Sequence, residues 1–419
     1  MASIMNPNLA RLQPYPFQKL SALLAGVRPE PSLRPISLSI GEPKHATPQF
    51  IRNVLVDRLD GLSSYPATAG GEPLRNAIAG WIGQRYRIET IDPATQVLPV
   101  NGSREALFAF AQAVVDPSAG RPAVVAPNPF YQIYEGAILL AGAEPHFLNL
   151  LPDNRFALDL QQLPEAVWSR TQLIYVCSPG NPAGNVMTID EWRTLFELSD
   201  RHGFVIASDE CYSEIYFDES RPPLGALEAA QRLGRSDFRR LVAFSSLSKR
   251  SNVPGMRSGF VAGDAEILAK FLLYRTYHGC AMNPAVQEAS AAAWRDENHV
   301  VENRRLYREK FESTLAILSS ATEVTMPEAA FYLWMRTPIA DTEFAKQLFE
   351  QYNVTVVPGS YLAREAHGIN PGSNFIRVAL VAPVEECLEA AHRLKAFYAQ
   401  FAKGKNKNDG FAVSHRQGV

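Results

Sequence analysis

Leu241-Val-Ala-Phe-Ser-Ser-Leu-Ser-Lys249 starts as an unbroken apolar run and turns into hydroxyls around a lysine; Arg250-Ser-Asn-Val-Pro-Gly-Met-Arg-Ser-Gly259 follows. An apolar run without alternation fits a strand covered on both faces, the usual state of a parallel strand. Six further runs read the same way: Val97–Val100, Ala123–Ala126, Pro145–Leu148, Leu173–Val176, Phe204–Ala207 and Gly259–Ala262. Helical patterns separate most of them, so the expected fold is α/β, a mostly parallel seven-stranded sheet with helices on both faces. Ligands of such sheets collect beyond the carboxyl ends of the strands. The polar, Gly- and Pro-rich segments after the strands are therefore where chemistry is expected.

Lys249 stands in one of them. A lysine at the end of a buried strand either reaches water or gives up its proton, and a neutral amine can attack a carbonyl to form an imine. An ordinary polar-loop lysine is the plain alternative. Ser246-Leu-Ser-Lys249 also fits the S-x-x-K pattern of serine acylases. Their S-D-N and K-T-G elements are absent here, and their serine is expected to open a helix rather than follow a strand.

At 419 residues the chain can bury a large core, and 41 basic against 43 acidic residues leave no footprint for nucleic acid or an anionic membrane. No run approaches a membrane span and the N-terminus lacks a signal pattern, so a cytoplasmic protein is expected. Cys177, Cys211, Cys280 and Cys387 are widely spaced and read as reduced and mostly buried; the eight histidines show no metal-binding spacing, so no metal is expected. The proline-rich residues 1–45 read as an extended arm and part of a small domain, and 46–289 as the large α/β domain. Residues 290–402 read as a smaller α+β domain with strands near Phe331–Met335, Val354–Val357 and Phe375–Leu380 and a helix from Pro383 to Ala402; 403–419 read as a disordered tail.

Other strand ends carry complementary groups. Asn101-Gly-Ser-Arg-Glu105 leads from a strand into a helix, where free N–H groups and the Ser103 hydroxyl suit a phosphate or simply cap the helix. Tyr131 follows Pro127-Asn-Pro129 and offers a ring for stacking; Asn181 lies in the turn Ser178-Pro-Gly-Asn-Pro182. Asp209 ends an apolar strand, where a carboxylate needs a cation or serves as a helix cap, and Tyr212 lies three residues on. Arg257 lies eight residues after Lys249, and Arg377 sits in an otherwise apolar strand; guanidinium forks bind phosphate or carboxylate.

Together and in this order, these elements resemble the fold-type I, pyridoxal-phosphate-dependent aminotransferases of class I/II, from about residue 35 to 400. The resemblance implies that Lys249 forms the Schiff base with pyridoxal 5'-phosphate and then moves the proton. Asp209 would pair with the ring nitrogen, Tyr131 would stack on the ring, and Asn181 and Tyr212 would hold its oxygen. Gly102, Ser103, the backbone of Arg104, Ser246, Ser248 and Arg257 would surround the phosphate. Arg377, with Asn181 and the backbone of Gly41, would take the substrate carboxylate. Tyr65 would reach the phosphate of a second subunit, which implies a homodimer with shared sites. The substrates would be an amino acid and a 2-oxo acid. Another class I/II aminotransferase (for aspartate, alanine or aromatic substrates), a lyase of the same fold type and a non-enzymatic cofactor-sensing regulator are the alternatives; the regulator usually needs a DNA-binding segment for which the short arm has no room.

More narrowly, Leu12-Gln-Pro-Tyr-Pro-Phe17, Ser37-Leu-Ser-Ile-Gly-Glu-Pro-Lys-His45 and Leu62-Ser-Ser-Tyr-Pro-Ala-Thr-Ala-Gly70 are similar to proteobacterial N-succinyldiaminopimelate aminotransferases of lysine biosynthesis. That implies glutamate as donor and N-succinyl-2-amino-6-oxopimelate as acceptor. Cationic groups for its distal carboxylates would then be expected at the entrance, with Lys44 and His45 as candidates.

Overall fold

A computed structural model describes residues 5–408, with twelve strands among them. β1 (Ile36–Ser37) is short. β2 (Val97–Val100), β3 (Ala123–Asn128), β4 (Glu144–Asn149), β5 (Thr171–Cys177), β6 (Val205–Asp209), β7 (Leu241–Ser246) and β8 (Gly259–Gly263) form one sheet in the order β2-β8-β7-β6-β5-β3-β4. All seven apolar runs are strands, and their bounds agree with the expected ones to within two residues.

β8 alone runs against its neighbours. The link from β7 to β8 holds the lysine turn and a Pro-Gly turn but no covering helix, so the chain returns antiparallel. This places Gly259 in register with both Val100 and Ser246, bringing the Gly102 turn and the Lys249 turn to one edge of the sheet. A Cβ at Gly259 would lie 2.4 Å from the Ser245 carbonyl oxygen, so the approach requires glycine.

Both faces of the sheet are covered, which explains the absence of polar alternation. Leu241 and Ala243 enter a core with Trp81, Trp192 and Trp294; Val242 and Phe244 enter another with Phe110, Tyr134 and Phe271. Phe110 stands edge-on to Phe244 and to Phe271, with centroids 5.3 Å away in each case.

A third core joins Phe311, Phe331, Phe344, Leu348 and Phe397 around a smaller lobe. There β9 (Tyr332–Arg336), β10 (Val354–Thr355), β11 (Val357–Pro358) and β12 (Phe375–Ala379) complete the strands. The single strand expected over Val354–Val357 is divided: β10 pairs with β1, and β11 pairs with β12 in the order β11-β12-β9. The extended N-terminal arm is also corrected, because Pro16–Leu24 is an α-helix and Pro7–Arg11 a 3-10 helix. Pro7 and Pro16 occupy first helical positions, where a missing N–H costs nothing. Leu20 buries the first of these helices against Val357 and Leu362. The last helix, Val384–Asn408, runs past the expected start of the tail; residues 409–419 lie outside the described residues. Among the described residues no helix is long and apolar enough to cross a membrane.

Truncating Phe110 to alanine removes the ring that Phe244 and Phe271 pack against. A loss of about 3–5 kcal/mol is expected, read as a lower urea midpoint with an unchanged slope.

Candidate active site

Twelve of the fourteen residues expected at the site line one cavity of about 520 Å³ beyond the strand ends. Gly102 lies behind its wall, and Tyr65 is fully exposed outside it.

Lys249 belongs to a helical turn, Leu247–Arg250, capped by Ser246, whose hydroxyl accepts from the Ser248 N–H at 3.1 Å. Ser246 thus both ends β7 and opens a helical turn, which removes one sequence argument against the serine-acylase pattern; the missing companion motifs remain. The Lys249 ammonium donates to the Gly41 carbonyl and lies over the Phe331 ring at 5.3 Å. Burial pushes its pKa down from 10.5 to about 8, against the opposing pull of Cys211; Arg377 and Arg104 reinforce the shift, while Glu42 resists it.

Asp209 ends β6, 4% exposed. Burial raises its pKa, opposed first by the Tyr134 hydroxyl, which donates to Oδ2 at 2.6 Å, and also by the Cys211 N–H, which donates to Oδ1 at 3.3 Å. No cationic side chain makes an ion pair with it among the described residues. Tyr134 was missed by the sequence reading; a tyrosine one helical turn after Tyr131, aimed back at the strand ends, was the available signal. Tyr131 meets Tyr134 edge-on and accepts from Arg104 Nε at 2.6 Å.

On the other side of Lys249 is a cradle for an anion. The helix Ser103–Val114 starts at Gly102, whose φ of +86° few other residues adopt; a Cβ there would lie 2.3 Å from Arg257 Nη2. Arg257 donates to the Pro254 carbonyl at 2.8 Å and has no carboxylate partner among the described residues. The hydroxyls of Ser103, Ser246 and Ser248 border the same space. Helix N–H groups, three hydroxyls and a guanidinium match the needs of a phosphate.

Arg377 projects from β12 into the third region of the cavity, 5% exposed. It donates to Asn181 Oδ1 at 3.1 Å and to the Ser39 carbonyl at 3.0 Å, and lies over the Tyr332 ring at 4.4 Å. Its Nε is buried without a hydrogen-bond partner, and no carboxylate pairs with it among the described residues. Tyr332 was not expected at the site. Its hydroxyl hydrogen-bonds that of Tyr212 at 2.8 Å and would collide with a Cβ at Gly41, 2.0 Å away.

Lys44 and His45 do not line the cavity. Lys44 donates to Glu42 at 2.7 Å, and His45 turns inward to Asn303 and the Tyr307 ring. All four cysteines are free, but only Cys387 is buried; Cys177 and Cys211 are half-buried on the cavity wall. Glu105, His278 and Cys280 come within 4.8 Å of one another, with Glu105 held by Arg275 at 2.7 Å.

A lysine of lowered pKa, an uncompensated carboxylate, a cradle suited to an anion and an unpaired guanidinium are thus joined in one cavity, and residues 34–394 match the aminotransferase class I and II family. The chain belongs to that family. An aminotransferase from Neisseria meningitidis superposes with a TM-score of 0.91 at 51% identity, over 94% of this chain and 100% of that one. An LL-diaminopimelate aminotransferase from Nitratidesulfovibrio vulgaris is 31% identical over 392 residues, 92% of this chain and 97% of that protein. A probable N-succinyldiaminopimelate aminotransferase from Thermus thermophilus is 27% identical, covering 91% of this chain and 100% of its own, with a TM-score of 0.80. Enzymes of this class use pyridoxal phosphate, and the chain is an aminotransferase of that kind.

Lys249 is lowered in the folded state, so the unfolded chain binds more protons from about pH 8 to 10.5. Stability of the cofactor-free protein should rise with pH across that window through this residue, by a gain on the order of 3 kcal/mol. Lys249→Met should lose that part of the rise, measured by denaturation of both proteins at several pH values.

Proposed function

We propose that Lys249 carries the pyridoxal phosphate and that Asp209 faces its ring nitrogen. On this reading, Ser103, Ser246, Ser248, Arg257 and the N–H groups after Gly102 hold the phosphate, Tyr131 flanks the ring, and Arg377 with Asn181 takes the substrate α-carboxylate. The unpaired, buried Arg377 guanidinium in the cavity of Lys249 is the observation that carries this, because it supplies the carboxylate fork an amino-acid substrate needs. The bound cofactor supplies an electron sink for the charge left when the α-proton departs. Lys249 Nζ, with its lowered proton affinity, is suited to take that proton and return it near neutral pH. Burial raises the pKa of Asp209, and the Tyr134 hydroxyl donating to it favours the carboxylate form that would face the ring nitrogen. Arg377 orients the substrate so that the hydrogen on its α-carbon is presented to Lys249.

For the substrates, we infer glutamate as donor and N-succinyl-2-amino-6-oxopimelate as acceptor, giving N-succinyl-LL-2,6-diaminopimelate of lysine biosynthesis. Similarity to enzymes named for diaminopimelate and for its succinylated form supports the pimelate skeleton. A second cation in the cavity, Arg104, has no carboxylate partner among the described residues and suits a distal carboxylate. Among the described residues the carboxylates lining the cavity are Asp209 and Glu42, and Glu42 is engaged by Lys44 at 2.7 Å. With Asp209 given to the ring nitrogen and Glu42 to Lys44, neither carboxylate is left for a free distal ammonium, which favours the succinylated nitrogen. Free LL-diaminopimelate is the second reading, favoured by the names of the curated relatives. The exposed Tyr65 supports a homodimer with shared sites, and four free cysteines suit the reducing cytoplasm.

Lys249→Ala should abolish turnover, and borohydride should fix the cofactor to Lys249 in the wild type; labelling of another lysine refutes the assignment. In a panel of 2-oxo acids with glutamate as donor, the succinylated pimelate should give the highest kcat/KM. Arg104→Ala should raise the KM for that acceptor about 10-fold or more while leaving pyruvate, which lacks a distal carboxylate, within about 2-fold. A preference for unsuccinylated diaminopimelate in the reverse reaction would overturn the substrate assignment.

A further inference from the structure

Three segments around Lys249 meet at one buried side-chain amide. Asn303 lies near the start of the helix Asn298–Leu318, 2% exposed. Its Nδ2 donates to the backbone carbonyls of Lys249 at 3.3 Å and Arg250 at 3.5 Å. Its Oδ1 accepts from Asn252 Nδ2 at 3.0 Å and lies 2.7 Å from His45 Nδ1. Burial lowers the pKa of His45, with Lys310 adding to the effect, so the ring is neutral and its one hydrogen is on Nδ1, donating to Asn303. The amide orientation is fixed by its surroundings: turned over, it would oppose donors to donors and oxygen to carbonyl oxygens.

The two ends of Lys249 are both connected to this amide. The backbone carbonyl of the lysine accepts from it directly. The terminal ammonium donates to Gly41, and four residues on from Gly41 the same loop is tied to Asn303 through His45. Asn252, the other donor, has its own carbonyl held by Thr47 at 2.9 Å, from the same loop. His299, one turn earlier on the helix, reaches the hydroxyl of Ser251 at 2.8 Å. The helix thus grips the chain at four successive residues, Lys249 to Asn252, and through Asn303 it also hydrogen-bonds to the loop that faces the lysine amine.

We propose that Asn303 is a positioning residue for Lys249, which sets the lysine turn relative to the Gly41 loop and thereby the reach of Nζ. This rests on the reading of Lys249 as the cofactor lysine. No isostere keeps all four bonds: aspartate sets a carboxylate against two carbonyl oxygens, and leucine leaves two carbonyls and two donors unpaired.

The test uses the holoenzyme. In Asn303→Ala, kcat should fall about 10-fold or more, with the KM for glutamate within about 3-fold, because misplacement of a reacting group acts on the transition state. The midpoint of the pH titration of the cofactor's visible absorbance should also move, a readout that lost stability alone does not change. His45→Phe keeps the ring against Tyr307 and removes one donor; it should shift both quantities in the same direction by a smaller factor. A folded Asn303→Ala with wild-type kcat and titration midpoint overturns the proposal; if that variant does not fold, wild-type values in His45→Phe do so. Borohydride labelling of a lysine other than Lys249 in the wild type would instead remove the reading beneath it.

Discussion

The desolvation of the Lys249 amine is the constraint on which the site depends. A primary amine in water is an ammonium and no nucleophile; at the end of β7, burial, with Arg377 and Arg104 adding positive potential, brings its pKa to about 8, so a larger share is neutral near physiological pH. The same burial raises the pKa of Asp209. One low-dielectric edge therefore disfavours the charged forms of Lys249 and Asp209 together, and a cation set against Asp209 would restore its charge. The charges lining the cavity do not balance: Lys249, Arg104, Arg257 and Arg377 face Glu42 and Asp209. A phosphate and a substrate carboxylate would correct this, giving the chain a physical preference for anionic ligands at just this edge.

Sheet topology produces that edge. The parallel run β3, β5, β6, β7 sends its carboxyl ends the same way, and the reversed β8 brings Gly259 between Val100 and Ser246. The cavity nevertheless needs both lobes. Tyr212 and Ile215, which follow β6, are buried in the core of the small lobe with Phe331 and Tyr332, and Arg377 comes from that lobe's own sheet. The Tyr212–Tyr332 hydrogen bond and the placement of Arg377 over Tyr332 thus join the strand end that carries Asp209 to the strand that carries Arg377.

How much of this was legible in sequence follows from what each feature depends on. The seven strands were visible because double-sided burial leaves an unbroken apolar run, and strand-end residues such as Lys249, Asp209 and Asn181 were visible because polar groups directly after such runs stand out. The division of Val354–Val357 between two sheets was not, since one four-residue apolar run looks the same whether it serves one partner or two. Pro7 and Pro16 suggested extension because proline opens helices as readily as it interrupts them. Tyr134, Tyr332 and Asn303 act through partners 75, 120 and more than 50 residues away, a proximity no local pattern encodes. His45 failed for the same reason: four residues after the cavity-lining Gly41, it turns its ring inward.

Arginine shows most clearly what only the fold can sort. Arg85, Arg250, Arg275 and Arg364 are all largely buried, and each has a carboxylate partner: Glu214, Glu297, Glu105 and Glu135. Such pairs recover what burial of a guanidinium costs, and their role is structural. Arg377 is equally buried and has only an amide oxygen, a backbone carbonyl and an aromatic face. These groups soften its desolvation without neutralising it, so the guanidinium retains an affinity for a carboxylate that the protein does not itself satisfy. A chain that buries a cation in this state sacrifices stability, and the substrate carboxylate proposed above would complete the charge pair. That asymmetry separates Arg377 from the structural arginines, where sequence offered no more than its apolar neighbours.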